Sequence, residues 1–164
     1  MLIDTVRRTT ITTYNIAESL RYYVDTLGME VWFDTTLVDE VVCEVYDLPA
    51  GTPVRVVILR GDIESAESTR GPVVSGMVGL MEFVGLSAPD PSPAARRPVS
   101  GEIVLMFGTQ HMLEIESRIT SAGFHLEGPP IRLGVSGRNV VYELLGRDPN
   151  GVRIAFSQMS EIYL

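Results

Sequence analysis

The chain has 164 residues, 45% of them hydrophobic, and a formal net charge of −8. This size and apolar content allow either one domain or two small fused half-domains. Basic residues are scattered along the acidic chain, which argues against nucleic acid and anionic membranes as partners. No apolar run approaches the roughly 18 residues of a membrane span, and the N-terminus lacks the apolar segment of a secretory signal. We therefore expect a cytoplasmic protein.

The first predicted unit begins with the segment RRTTITTY, whose threonine and β-branched residues favour a strand. Asn15 follows as a helix cap, and apolar residues then recur on one helical face. Gly28 supplies a left-handed stop. We predict a helix over residues 16–27, followed by a strand at MEVWFD.

Three further segments of this unit are predicted as strands from their β-branched and aromatic content: VVCEVYD, VRVVILR and GLMEFV. Cys43 lies in the first of them and is interpreted as a buried, inert thiol rather than a nucleophile. Tyr23 is interpreted as a core residue of the helix. For Trp32, packing in the core is favoured over stacking on a planar ligand.

A proline-rich segment, LSAPDPSPAARRPVS, separates this unit from the next. Its composition prevents both a sheet ladder and a helix, and predicts an extended connector rather than a signalling ligand. We predict a first module over residues 1–85, a connector over 86–100 and a second module over 101–164.

The second module repeats the order of the first. EIVLMF predicts a strand, a helix is predicted over residues 110–122, and Gly123 ends it before a strand at FHLE. NVVYELL and VRIAFSQ follow as strands, joined by a hairpin turn at DPNG. The spacing from Asn15 to Gly28 equals that from Gln110 to Gly123. This repetition indicates a duplication.

Four segments in this order resemble the vicinal oxygen chelate superfamily, which includes glyoxalase I, methylmalonyl-CoA epimerase, extradiol dioxygenases and bleomycin-resistance proteins. They are ITTYNIAESLRYYVDTLGMEV, GLMEFVG, ITSAGF and GRDPNGVRIAFSQ. The resemblance implies an α+β fold of two tandem βαβββ modules. Their mixed sheets would curl around a shared cavity, with the helices outside. It also leads us to expect a homodimer, because related folds bury sheet edges in that way.

Metal-using members of this superfamily place one ligand, usually His or Glu, on each of four cavity-facing strands. The matching positions here are Arg8, Gly79, Val104 and Ala155, none of which offers a lone pair to a metal. We therefore predict no cofactor, with a divalent metal as the alternative. Four nearby donors are assigned to helix-surface or solvated positions: Glu82, Glu102, His111 and His125.

Alternation along the strands from these positions predicts the cavity lining. The predicted ligand-binding residues are Arg8, Thr10, Thr12, Met81, Phe83, Val104, Met106, Ala155 and Ser157. The opposite faces, which we expect under the helices, carry Ile11, Leu80, Ile103, Leu105, Phe107, Ile154 and Phe156. The lining is apolar and contains methionines and one cation, Arg8, which needs an anionic partner. That partner is either a ligand or an internal carboxylate, with Asp34, Glu44 and Glu143 as candidates.

These features favour a protein that binds a small, partly apolar, anionic organic molecule without the usual metal. The alternative is a lyase, isomerase or dioxygenase-type enzyme, either metal-free or with a rearranged metal site. A third reading is an interaction module. No nucleophile elbow, phosphate loop or CxxC motif is present, so no catalytic residue is assigned and enzymatic activity is left open.

Overall fold

The computed structural model describes residues 6–61, 76–87, 100–136 and 139–161. The chain divides into two compact units, residues 1–90 and 91–164. Most of the predicted connector lies outside the described residues. Within the described ranges, no helix is both long and apolar enough to cross a membrane.

The first unit contains one four-stranded sheet. Its elements are β1 (Arg8–Thr13), α1 (Ile16–Leu20) continued by π-helical turns (Arg21–Thr26), β2 (Glu30–Leu37), α2 (Glu40–Val45), β3 (Val54–Arg60) and β4 (Met77–Phe83). The strand order is β1-β4-β3-β2. β1 runs parallel to β4, and the other neighbours are antiparallel.

The second unit has the same topology. Its elements are β5 (Val104–Gly108), α3 (Met112–Ser121), β6 (Ile131–Ser136), β7 (Asn139–Arg147) and β8 (Arg153–Glu161). The strand order is β5-β8-β7-β6, with β5 parallel to β8. The predicted α+β fold of two tandem βαβββ modules is confirmed, and both sheets are open rather than closed.

Local signals set the ends of the first helix as predicted. The Asn15 side chain accepts a hydrogen bond from the amide of Glu18 at 3.1 Å, which satisfies one of the free N–H groups of the first turn. Gly28 has a φ of 80°, a conformation that L side chains rarely adopt. Helix and π-helical turns together cover residues 16–26, against the predicted 16–27.

The turn between β7 and β8 also forms where the sequence predicts it. The Asp148 carboxylate accepts hydrogen bonds from the amides of Asn150 at 2.9 Å and Val152 at 2.8 Å. Gly151 adopts a φ of 83°. This Asx-type turn sets the register of the final hairpin.

Each sheet buries one face under its helix, largely with the predicted residues. Ile11, Leu80, Ile154 and Phe156 are buried. Leu105 and Phe107 are half-buried on the edge strand β5. The prediction for Ile103 is wrong, because this residue precedes β5 and its side chain is 62% exposed.

Two predictions of secondary structure are wrong. The segment predicted as the strand VVCEVYD forms α2, because the Asp39 carboxylate caps it by accepting from the amides of Val41 at 2.8 Å and Val42 at 3.2 Å. Tertiary contacts here override the β preference of valine. FHLE makes only an isolated bridge from Leu126 to Gly146, and the strand predicted there is instead β6, at residues 131–136. Cys43 is buried, as predicted.

Trp32 is not a core residue. The pairing of β2 with β3 shifts register between Val31 and Phe33, so Trp32 sits in a bulge on an edge strand. Its side chain is 52% exposed. By contrast, Tyr23 is fully buried, as predicted.

The two units cap their helices in the same way. Glu82 of β4 accepts a hydrogen bond from the amide of Ile16, and Gln158 of β8 accepts one from the amide of Met112, both at 3.1 Å. Both acceptors lie on the helix-covered face of their sheet. Each side chain therefore ties a helix N-terminus to a strand that is distant in sequence.

We expect Glu82→Ala to lower the free energy of unfolding by about 1 kcal/mol, because it removes this cap. Glu82→Gln should cost less, since glutamine performs the same role at position 158 and only the interaction with the helix dipole is lost. Urea unfolding measures both variants. An alanine variant as stable as the wild type would show that the contact contributes nothing.

Candidate functional site

The face of the first sheet that lies opposite α1 carries the predicted cation, and we refer to it as the Arg8 face. The parallel register pairs Thr10 with Gly79 and Thr12 with Met81, and the next strand pairs Gly79 with Ile58. Paired residues project to the same side of a sheet. The predicted grouping of Arg8, Thr10, Thr12, Met81 and Phe83 on one face therefore agrees with the strand pairing.

One end of the Arg8 face is covered by α2. Met81 and Phe83 are only 9% and 7% exposed, and they form an apolar cluster with Val54. Leu37, Val42, Leu48, Val56 and Leu86 pack against this cluster. The ring of Tyr46 lies 5.5 Å from that of Phe83. Met81 and Phe83 thus form an apolar wall beneath α2, whereas Arg8, Thr10 and Thr12 on the same face are exposed.

The side chain of Arg8 lies over Gly79, toward the end of this face that is away from α2. An added Cβ on Gly79 would be 2.9 Å from Cδ of Arg8 and 2.9 Å from Oγ1 of Thr10. Nε of Arg8 donates a hydrogen bond to that hydroxyl at 3.1 Å. The arginine stem therefore rests on the glycine, and Arg8 as a whole residue is exposed.

No carboxylate lies within ion-pair distance of Arg8 among the residues that the structure describes. Asp34, a candidate internal partner, instead accepts two hydrogen bonds from Arg55, at 3.1 and 2.8 Å. These bonds hold the pKa of the Asp34 carboxyl below its usual value. Glu44 of α2 forms no ion pair with Arg8 either, and Glu143 lies on β7 of the second unit.

The corresponding face of the second sheet carries the remaining predicted residues. Val104 and Met106 are 44% and 61% exposed on the edge strand β5. Ala155 pairs with Met106 and is buried, and Ser157 is half-buried. These side chains form a largely apolar strip in this unit.

Sequence reasoning missed a group of charges on this second face. Arg153 is 4% exposed, and its Nη1 donates to both oxygens of Glu127 at 2.6 Å. Its Nε donates to Glu102 at 3.3 Å, and Nη1 of Arg147 donates to the same oxygen at 3.1 Å. Glu102 is therefore half-buried in an ion-pair cluster, and the expectation of a solvated or helix-surface position for it is wrong. Side chains alternate between the two faces of β8, so counting back from Ala155 would have placed Arg153 on the same face.

The four positions that the resemblance predicts as metal ligands carry side chains that do not suit a divalent ion. Arg8 is permanently charged, and Gly79, Val104 and Ala155 lack donor atoms in their side chains. In the ranges that the structure describes, no three His, Cys, Asp or Glu side chains are close enough to hold a metal. His111 and His125 are exposed and lie outside the sheets.

A family model of the Glyoxalase/Bleomycin resistance protein/Dioxygenase superfamily matches residues 5–156. The chain belongs to this superfamily. The match covers both units, so the duplication inferred from the sequence corresponds to the paired modules of the glyoxalase-like fold. No curated protein sequence is significantly similar to the chain.

Solved structures of glyoxalase-like proteins share the fold at low sequence identity. A glyoxalase family protein from Bacillus cereus has a TM-score of 0.64 and 16% identity, with 97% of this chain and 95% of that chain covered. A glyoxalase/dioxygenase from Nostoc punctiforme has a TM-score of 0.62 and 17% identity, with 98% and 94% covered. The trypanothione-dependent glyoxalase I of Leishmania major has a TM-score of 0.60 and 15% identity, with 95% and 87% covered. At these identities the likeness establishes the fold alone.

Proposed function

We propose that this superfamily member binds a small, partly apolar organic anion on the Arg8 face, without the divalent metal of metal-using relatives. The observation that carries the proposal is a guanidinium with no carboxylate partner among the described residues, lying where a metal ligand is expected. A guanidinium binds carboxylates strongly through paired hydrogen bonds.

The surroundings of Arg8 support an amphiphilic ligand. Ile58 and Gly79 form an uncharged floor beside the cation, and Met81 and Phe83 form an apolar wall under α2. Thioether and aromatic side chains adapt to irregular apolar groups. A ligand whose anionic group binds Arg8 would thus place its apolar part against Ile58 and Gly79.

Two fluorescent probes test the proposal, because they share a dansyl body and differ in charge. Dansylglycine carries a carboxylate, whereas dansylamide is neutral. We expect saturable binding of dansylglycine at least about tenfold tighter than that of dansylamide, which corresponds to one charge-assisted contact. Protein dialysed against EDTA and checked by elemental analysis should bind dansylglycine equally well.

Two results would contradict this proposal. Equal affinity for the two probes, or no saturable binding of dansylglycine, would mean that the charge of Arg8 does not select anions. A stoichiometric metal that is needed for binding would favour the alternative of a metal-using enzyme.

The proposal extends to a cytoplasmic homodimer. Val31, Trp32 and Phe33 are exposed on β2, which is an edge strand. Exposed apolar side chains at a sheet edge favour association with another chain. Light scattering coupled to size-exclusion chromatography measures the mass, and a monomer at micromolar concentration would contradict the dimer.

A further inference from the structure

Gly79 occupies a strand position where the backbone does not require glycine. It lies in the middle of β4, paired on both sides, and it is absent from the glycines with positive φ. Glycine inside a strand costs stability relative to residues with a side chain. Its presence here therefore needs a reason other than backbone conformation.

The space above Gly79 supplies that reason. Cδ of Arg8 and Oγ1 of Thr10 each lie 2.9 Å from the place of the missing Cβ, and Nε of Arg8 lies 3.2 Å from it. Any side chain at position 79 would displace the arginine stem and disturb its bond to Thr10. Because the atoms in contact belong to the side chains of Arg8 and Thr10, the displacement would move these side chains rather than the sheet.

The second unit provides a comparison within the same chain. The register that pairs Thr10 with Gly79 corresponds to the one that pairs Met106 with Ala155. Ala155 is buried there, while the side chain of Met106 is exposed. The counterpart of Gly79 therefore accommodates a Cβ in the second unit, where Val104 stands in place of Arg8.

We propose that Gly79 and Thr10 are positioning residues for Arg8, and that they present its Nη1/Nη2 edge to a planar ligand carboxylate. The inference rests on the proposed function. Of the five N–H groups of a guanidinium, the one on Nε is engaged by Thr10, and the four on Nη1 and Nη2 have no partner among the described residues. Two of these groups, one on each Nη, fit the two oxygens of a carboxylate end-on.

The experiment measures dansylglycine and dansylamide binding to Gly79→Ala, both alone and combined with Arg8→Met. Alone, Gly79→Ala should weaken dansylglycine binding about five- to tenfold, less than the loss of a whole charge-assisted hydrogen bond because Arg8 is displaced but not removed. It should change dansylamide binding less than about twofold. Combined with Arg8→Met, it should produce no further loss. Gly61→Ala is the matched control, because an added Cβ there meets no atom within 4 Å.

Thr10→Val provides a second, nearly isosteric variant that removes only the hydroxyl. It should reproduce the selective loss of dansylglycine binding in the wild-type background and have no effect in the Arg8→Met background. This variant decides the question if Gly79→Ala does not fold.

The outcomes separate this inference from the proposed function. Equal losses in both backgrounds would show that the new methyl group obstructs the ligand directly, which would overturn the positioning role. No loss from Gly79→Ala or Thr10→Val, with Arg8→Met still harmful, would also overturn it while leaving the proposed function intact. If Arg8→Met itself has no effect, the proposed function fails.

Discussion

Replacing Arg8 by methionine is expected to weaken dansylglycine binding by about 1.5–3 kcal/mol, roughly ten- to a hundredfold. Methionine keeps an unbranched side chain of similar reach over Gly79 but removes the charged donors. Dansylamide should bind nearly as before, because its contacts would be with the apolar floor and wall of the Arg8 face. Fluorescence titration of the two probes measures the difference.

The stability of this variant separates the two roles considered for Arg8. Because Arg8 has no ion-pair partner among the described residues, Arg8→Met should change the free energy of unfolding by no more than about 0.5 kcal/mol. Arg21→Met is the matched control for net charge, since Arg21 pairs with Glu18 on the exposed surface of the first helix. A loss of several kcal/mol would make Arg8 a member of a structural ion pair.

Glu127→Ala is expected to lower the free energy of unfolding by about 3–5 kcal/mol, because it breaks a largely buried ion pair of the second unit. It removes the carboxylate that Arg153 contacts at 2.6 Å, and the Arg153 side chain is only 5% exposed. Nη2 of Arg153 is already buried and has no hydrogen-bond partner in the part of the chain that the structure describes. The variant would therefore leave the buried guanidinium of Arg153 with only Glu102 as an ion-pair partner among the described residues. Urea unfolding measures the loss.

Two further variants test the cause of this loss. Glu114→Ala, which removes an exposed carboxylate 4.0 Å from Arg118, should change stability by less than about 1 kcal/mol. Adding Arg153→Met to Glu127→Ala should recover part of the loss, because the stranded charge is then gone. If the double variant is no more stable than Glu127→Ala, buried charge is not the cause.

The fold was predictable because its signals are local. Asn15, Gly28 and the turn from Asp148 to Gly151 act through hydrogen bonds and backbone conformations within a few residues. Two copies of the same pattern, with equal spacing, were enough to indicate duplicated modules. α2 escaped prediction because its valines favour a strand by themselves, whereas the Asp39 cap and the packing of Val42 on the sheet favour a helix.

The candidate site was predictable only in part, because strand alternation gives the face of a residue but not its neighbours. Alternation placed Arg8 and Gly79 on one side of the sheet. It could not show that the arginine stem lies over the glycine, or that α2 covers Met81 and Phe83. It also could not place Glu102 or Glu127 beside Arg153, since both glutamates lie outside the strands.

The sequence by itself determined the family and the repeated modules, since each depends on residue identity and local spacing. The tertiary structure decided which charges of the described residues are paired. Arg8 and Gly79 meet only because β1 and β4 pair in parallel, while Arg153 is neutralised by glutamates from two loops. Whether a cation is structural or accessible to a ligand depends on contacts between residues far apart in the chain, and local spacing does not encode these contacts.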